Sequence, residues 1–236
     1  MTNYSYVGSE LELFQYAQNW KAYYSQFIRK YIGKDVLEVG AGIGTTTEFL
    51  CRGNEKRWLC LEPDPVLVSN LNSSITKKFL PSCCEARVGT LSTLNEKENF
   101  ETIIYIDVLE HIKSDRAETM LATSHIKTGG FLIVLAPAHQ WLFTPFDQAI
   151  GHYRRYNKQT LSAVIPDNLK CVKLIYLDSV GLIASLANRL VLKSKMPSKK
   201  QILFWDRAMI PVSKLIDPIT RYSVGKSVIG IWQKND

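Results

Sequence analysis

The sequence predicts an α/β fold with a mostly parallel sheet covered by helices on both faces. Three observations carry that prediction. Short apolar runs alternate with segments of helical periodicity along most of the chain. Runs such as Phe131–Leu135 are continuously apolar, as strands buried on both faces are. The stretch VLEVGAGIGTTT, Val36–Thr47, reads as a strand, a glycine turn and a helix start, in that order.

Along the chain, Glu10–Ile32 forms one or two helices, with Leu11, Phe14, Tyr24, Phe27, Ile28 and Tyr31 at helical spacing and Gly33 as the stop. Asp35–Val39 is the first strand. Thr45–Cys51 is a helix whose Thr45–Thr46–Thr47 run supplies the N-cap. Trp58–Leu61 is a strand, Pro65–Thr76 a helix, Ala86–Val88 a short strand and Phe100–Ile106 an apolar strand. A helix over Ser114–His125 stops at Gly129–Gly130, and the strand Phe131–Leu135 follows. Lys158–Val164 is helical and Val172–Leu177 is a strand. Amphipathic helices over Val180–Val191 and Ile202–Leu215 form an insertion before a last strand, Val228–Trp232. Met196–Lys200 is the expected mobile loop.

Composition narrows the class. The chain has 236 residues, of which 46% are hydrophobic and 22% charged, enough for a sizeable core and against disorder. The longest apolar runs, Phe131–Ala138 and Val180–Ala187, stop after eight residues, well short of a membrane span. Glu10 and Glu12 stand where a secretory signal would be basic and then apolar. The five cysteines are odd in number and lack a C-x-x-C, which argues against a disulfide framework or a zinc site. Reduced thiols predict a cytoplasmic setting. The charge of +7 is uneven: ten basic residues face three acidic ones after residue 188, whereas the first 188 residues carry nineteen of each sign. The basic tail also holds Leu203, Phe204, Trp205, Met209 and Ile210, so it predicts an amphipathic surface suited to an anionic substrate or peripheral membrane contact. No nucleic-acid-binding module accompanies it, so nucleic acid is not expected as a partner.

The glycine turn carries the first chemistry. Gly40, Gly42 and Gly44 permit a tight turn and close approach of main chain to a ligand. A dinucleotide fingerprint would place its third glycine at position 45, which is Thr45. Glu38, just before the loop, would repel a pyrophosphate and suit a ligand with an ammonium group. Glu62, 18 residues after Gly44 at a strand end, is placed to accept both hydroxyls of a ribose.

Glu38 with Gly40, Gly42 and Gly44, then Glu62, then YIDVLEHI (Tyr105–Ile112) together resemble the Rossmann-like S-adenosylmethionine-dependent methyltransferases. The resemblance covers about residues 36–137 well. It implies a seven-stranded sheet whose last strand is antiparallel, and S-adenosylmethionine as cofactor. It implies that Glu38 lies near the cofactor's amino group, that the main chain of Gly40, Ala41 and Gly42 lines it with Gly44 closing the turn, and that Glu62 and Pro63 meet the ribose. Asp107 and Val108 would sit beside the cofactor. The family often reads adenine with an acid after its third strand. Here that place falls on Gly89–Thr90–Leu91, so Thr90 and Leu91 would serve through a hydroxyl or main chain. The whole chain, 1–236, then reads as one domain: N-terminal helices 1–32, cofactor core 33–137, and a substrate-side loop, helical insertion and last strands over 138–236.

Two clusters are candidates for the rest of the chemistry. Asp107, Glu110 and His111 lie within five positions. They could bind a metal ion, but the expectation is that Glu110 and His111 orient the next helix, with His111 near the cofactor and no metal. The segment FDQAIGHYRRYNKQTL, Phe146–Leu161, follows the fifth strand and holds too many polar and aromatic groups for plain core. Its GHYRRY resembles a bacterial methyltransferase subgroup found alongside sugar- and envelope-modifying enzymes. His152 is the candidate base, with His111 second; Tyr153, Arg154 and Arg155 are candidates for holding an anionic acceptor. His139 is a weaker base candidate, and His125 an ordinary helix-end residue. The expected partner is a small molecule or glycan, anionic or lipid-linked. Two rivals stand beside this reading: a nicotinamide-dependent oxidoreductase, disfavoured by Thr45 and Glu38, and a cofactor-binding protein without activity. The oligomeric state is not legible.

Overall fold

The computed structural model describes residues 10–187 and 197–235. Seven strands form one sheet: β1 (Asp35–Val39), β2 (Arg57–Glu62), β3 (Cys84–Val88), β4 (Phe100–Ile106), β5 (Ile126–Pro137), β6 (Leu169–Leu177) and β7 (Ser227–Lys234). The helices are α1 (Glu10–Phe14), α2 (Gln18–Ile28), α3 (Thr45–Leu50), α4 (Pro65–Thr76), α5 (Asp115–Ser124), α6 (Pro145–Ala149), α7 (Lys158–Val164), α8 (Ser179–Ala187), α9 (Lys199–Phe204) and α10 (Ile210–Ile219). The strand order is β3-β2-β1-β4-β5-β7-β6. β1 to β5 pair parallel, and β7 pairs antiparallel with both β5 and β6.

Alternation along each strand feeds two cores. Val36, Trp58, Ile104 and Ile133 face one side, where Trp20 and Tyr24 of α2 cover them. Leu37, Leu59, Ile103 and Leu132 face the other, with Ala122 of α5 and Leu161 of α7. β1 is flanked by β2 and β4, at Leu37↔Leu59 and Leu37↔Ile103. The chain therefore builds outward one way through β2 and β3, then returns to build the other way from β4. A sheet wound like this leaves a crevice beyond the carboxyl ends of β1 and β4. The sequence places the glycine turn after one of these strands and Asp107 after the other.

Several expected elements differ in physical detail. Gly44 takes the N-cap position of α3 with no side-chain cap, and Thr47 turns inward instead. Gly129–Gly130 do not stop a helix; α5 ends at Ser124 and both glycines lie inside β5, beside a register shift against β4. The expected helix Ile202–Leu215 is broken into α9, a π-helical turn over Trp205–Met209, and α10. The extra residue of a π turn re-aims the side chains around it. Here Trp205 and Asp206 both point inward and are buried. Within the expected loop Met196–Lys200, Ser198 caps α9 by accepting from Gln201 N, and Lys199–Lys200 are already helical; Met196 lies outside the described residues. So do positions 188–191 of the helix expected over Val180–Val191. No described helix is long and apolar enough to cross a membrane.

Candidate active site

The crevice beyond β1 and β4 is a cavity of about 600 Å³, a size that suits a cofactor-sized ligand. Its first wall is main chain. Gly40, Gly42 and Gly44 have φ of 67°, 56° and 81°, in the left-handed region that a side chain strains. A Cβ on Gly40 would come within 2.6 Å of Val108, and one on Gly44 within 2.7 Å of Leu71. The turn is pinned to β2 by the Gly40 N–H, which donates to Leu61 O at 2.8 Å. Glu62 completes this wall. Its Oε2 accepts from Gly42 N at 2.9 Å and its Oε1 from Asp64 N at 3.0 Å, so the carboxylate is fixed and each oxygen keeps acceptor capacity.

Of the residues that the sequence singles out for the cofactor, Gly40, Ala41, Gly42, Glu62, Pro63, Thr90, Asp107 and Val108 line the cavity. Glu38, Gly44 and Leu91 do not. Leu91 is core. Glu38 shares the strand face of Val36 and lies behind the loop. Its Oε2 accepts from Thr47 Oγ1 at 2.7 Å and from Trp58 Nε1 at 2.8 Å, and burial pushes its carboxyl up to about 7. Asp107 opens onto the cavity with φ of 54°, its N–H donating to Leu135 O. Although the residue is accessible from the cavity, desolvation by the surrounding walls pushes its carboxyl up to about 6 against the pull of His152, Lys226, Lys21 and Arg155.

The opposite wall is made of charged side chains. Asp147 is its hub. Oδ1 accepts from His152 Nδ1 at 2.9 Å and Arg155 Nε at 2.7 Å, and Oδ2 accepts from Arg155 Nη2 and Thr144 N, both at 2.9 Å. Burial alone would push this carboxyl up. The hydrogen bonds from His152 and Arg155 outweigh burial and hold it well below the usual range. His152 is thereby oriented with its Nε2 3.8 Å from Glu110 Oε1, and its ring meets the His111 ring edge-on at 4.5 Å. His111, His152 and Arg155 line the cavity, whereas Tyr153 and Arg154 do not. Tyr153 is 54% exposed. Arg154 bridges to Asp115 and donates to Lys113 O at 2.8 Å, tying the loop to the start of α5. His139 lies apart from the cavity, with Nε2 3.0 Å from Gly225 O, and His125 Nδ1 is 2.7 Å from Glu98 O.

Several lining residues are not singled out by sequence. Lys21 and Tyr24 of α2, Trp205 of the π turn, and Lys226 reach the cavity from the two ends of the chain. Lys21 is buried, and burial lowers its ammonium to about 8 although Asp206 and Asp107 oppose the shift. Its signal in the sequence is a cation among the apolar positions of a helix. Asp147 stands inside the quoted FDQAIGHYRRY stretch, as the acid that answers its histidine and arginine.

No protein-family model and no curated protein matches the chain. Solved structures do match its fold. An S-adenosylmethionine-dependent methyltransferase from Clostridium acetobutylicum ATCC 824 is similar at TM-score 0.59 and 13% identity, over 93% of this chain and 92% of that one. The N-methyltransferase NodS from Bradyrhizobium japonicum WM9 is similar at TM-score 0.56 and 12% identity, over 97% and 98%. Geranyl diphosphate C-methyltransferase from Streptomyces coelicolor A3(2), solved in complex with Mg²⁺, geranyl diphosphate and S-adenosyl-L-homocysteine, is similar at TM-score 0.62 and 10% identity, over 90% and 77%. The chain has the seven-stranded, mostly parallel α/β fold of the S-adenosylmethionine-dependent methyltransferases.

Proposed function

We propose that this chain is an S-adenosylmethionine-dependent methyltransferase acting on a small molecule or glycan that carries an anionic group. One observation carries the reading: the left-handed glycine turn and the fixed Glu62 carboxylate open onto the same cavity as His111, His152 and Arg155. The first wall fits the cofactor. Gly40 and Gly42 present main chain rather than side chain, and Glu62 has acceptor capacity left for two ribose hydroxyls. Thr90 supplies the hydroxyl near the adenine place. When bound, the cofactor supplies a methyl group made electrophilic by a sulfonium. The chain's own work is to hold an acceptor in line and exclude water. His152, oriented by Asp147, and His111 stand where the proton of an acceptor would be handled. Lys21, Arg155 and Lys226 line the cavity and support an anionic acceptor. Arg155 Nη1 is buried with no hydrogen-bond partner among the described residues, so it has a donor to offer such a group.

Calorimetry tests the cofactor assignment. Wild type is expected to bind S-adenosylhomocysteine and not NAD. Gly42→Val should abolish that binding, and Glu62→Ala should weaken it about tenfold or more, the loss of a charge-assisted hydrogen bond worth roughly 1.5–3 kcal/mol. Binding of NAD with none of S-adenosylhomocysteine would favour an oxidoreductase instead.

A further inference from the structure

We propose that Glu110, His111 and His152 form a binding site for a divalent transition-metal ion in the wall of the cavity. The three residues come from two places: the turn after β4 supplies Glu110 and His111, and the loop after α6 supplies His152. One donor atom from each lies within 4.8 Å of the other two. Donors bound at about 2.0–2.2 Å to one ion stand roughly 3–3.5 Å apart, so a side-chain shift of about 1 Å closes the set.

Glu110 is the observation that demands an explanation. It is 0% exposed, and among the described residues neither of its carboxylate oxygens has a hydrogen-bond partner. At 3.8 Å the contact with His152 Nε2 is too long for a hydrogen bond. A bound dication would give the orphaned oxygens a partner. The surroundings are those of a metal ligand set. Asp147 accepts from His152 Nδ1, which turns Nε2 toward Glu110, and Asp147 is in turn fixed by Arg155 and Thr144. A hydrogen bond to the Ile150 main chain orients His111. Two imidazoles and one carboxylate favour a first-row transition ion over Mg²⁺ or Ca²⁺.

Three protein ligands leave coordination positions open to the cavity. An acceptor hydroxyl held in one of them would be acidified and would lose its proton to cavity water. The site therefore selects an oxygen acceptor. This role, though not the metal binding itself, rests on the methyl-transfer reading, and it replaces direct proton transfer to His111 or His152, whose ring nitrogens the ion would occupy.

Cys51 Sγ lies 3.5 Å from Cys83 Sγ and 3.6 Å from Cys84 Sγ, and these thiols would bind the same probes, so the test uses Cys51→Ser protein. Chelator-treated full-length chain is titrated with Co²⁺ and with Zn²⁺, and S-adenosylhomocysteine affinity is measured in parallel. One Co²⁺ per chain is expected, with visible bands and no thiolate charge transfer. Glu110→Gln and His152→Ala should each weaken it at least tenfold while leaving S-adenosylhomocysteine binding in place, and Asp147→Asn should weaken it about 10–100-fold. Unchanged Co²⁺ affinity and spectrum in both ligand variants, or no binding by the parent, would overturn the site. Absence of S-adenosylhomocysteine binding in the parent would overturn the methyl-transfer reading instead.

Discussion

The two walls of the cavity are held by different physics. The cofactor-side wall, from β1 to the start of the turn after β4, is held by main chain: Gly40 N–H on Leu61 O, Asp107 N–H on Leu135 O, and a glycine turn folded over β2. The acid behind it, Glu38, is pushed toward its neutral form by burial. The wall from residues 138–235, with α1 and α2, hangs on interior aspartates. Asp147 clamps Arg155 and His152. Asp217 accepts from Tyr23 OH and from the amides of Asp178 and Ser179, and Asp178 accepts from Trp205 Nε1 and Ser213 Oγ. Asp206 accepts from the amides of Asn19 and Trp20, and so stands in for the missing cap of α2. Main-chain pairing is indifferent to pH and salt, whereas carboxylate hubs are not. The cavity thus has one robust wall and one that depends on charge.

The largest break in this contrast should come from Asp147→Ala. It strands a buried guanidinium and is expected to cost about 3–5 kcal/mol in urea denaturation. Because the folded carboxyl is held below its unfolded value of about 3.9, its contribution is present above that pH and is lost as pH falls further. Wild-type stability should therefore decline steeply in acid, and the variant should show a shallower decline. An equal acid slope in both would remove Asp147 as the hub.

Asp206→Ala comes next, at about 1–3 kcal/mol for the buried amides left without an acceptor. Faster hydrogen exchange at Asn19 and Trp20, with β1 to β5 unchanged, is the expected signature. A uniform acceleration across the sheet would show that the two walls are not separable.

The smallest effect lies in the main-chain wall and has the opposite sign. Glu38 rises from 4.5 to about 7 on folding, so between those pH values the native state keeps a proton that the unfolded chain has released, and stability falls as pH rises. Glu38→Gln should flatten that fall and gain about 1 kcal/mol at pH 8, the weaker hydrogen bonds of an amide oxygen to Thr47 and Trp58 offsetting part of the benefit. A pH–stability profile of the two proteins checks it; a loss of stability at pH 8 would mean that the hydrogen bonds outweigh the charge.

The first wall was legible because its information is local. β1, α4 and β4 begin and end where the periodicity puts them, and Asp64 caps α4 just ahead of Pro65, accepting from Val66 N and Leu67 N. Gly129–Gly130 misled because two glycines after a helical stretch look like a stop, while the bulge that uses them depends on the partner strand β4. In the second wall the partners are distant. Nothing near Arg154 indicates that it pairs with Asp115, 39 positions earlier, while its neighbour Arg155 turns into the cavity. Lys21 and Lys226 meet one ligand space from opposite ends of the chain. Glu38 was legible as an acid before a glycine turn, but the strand alternation that turns it away from the cavity belongs to the sheet.

The Asp206 cap also sets a clock. Its carboxylate lies 187 positions after Asn19. A ribosome adding about 5–20 residues per second needs roughly 10–40 seconds to travel that distance. Within that interval the nascent chain can hold a finished glycine turn once β2 has emerged and, once residue 137 has emerged, five paired parallel strands. It still lacks the cap of α2, Trp205 and Lys226, so the ligand space stays open on the side that both chain ends must close. Termination between residue 137 and the π turn would leave the five parallel strands paired, β6 without β7 to pair with, and a cavity with no roof.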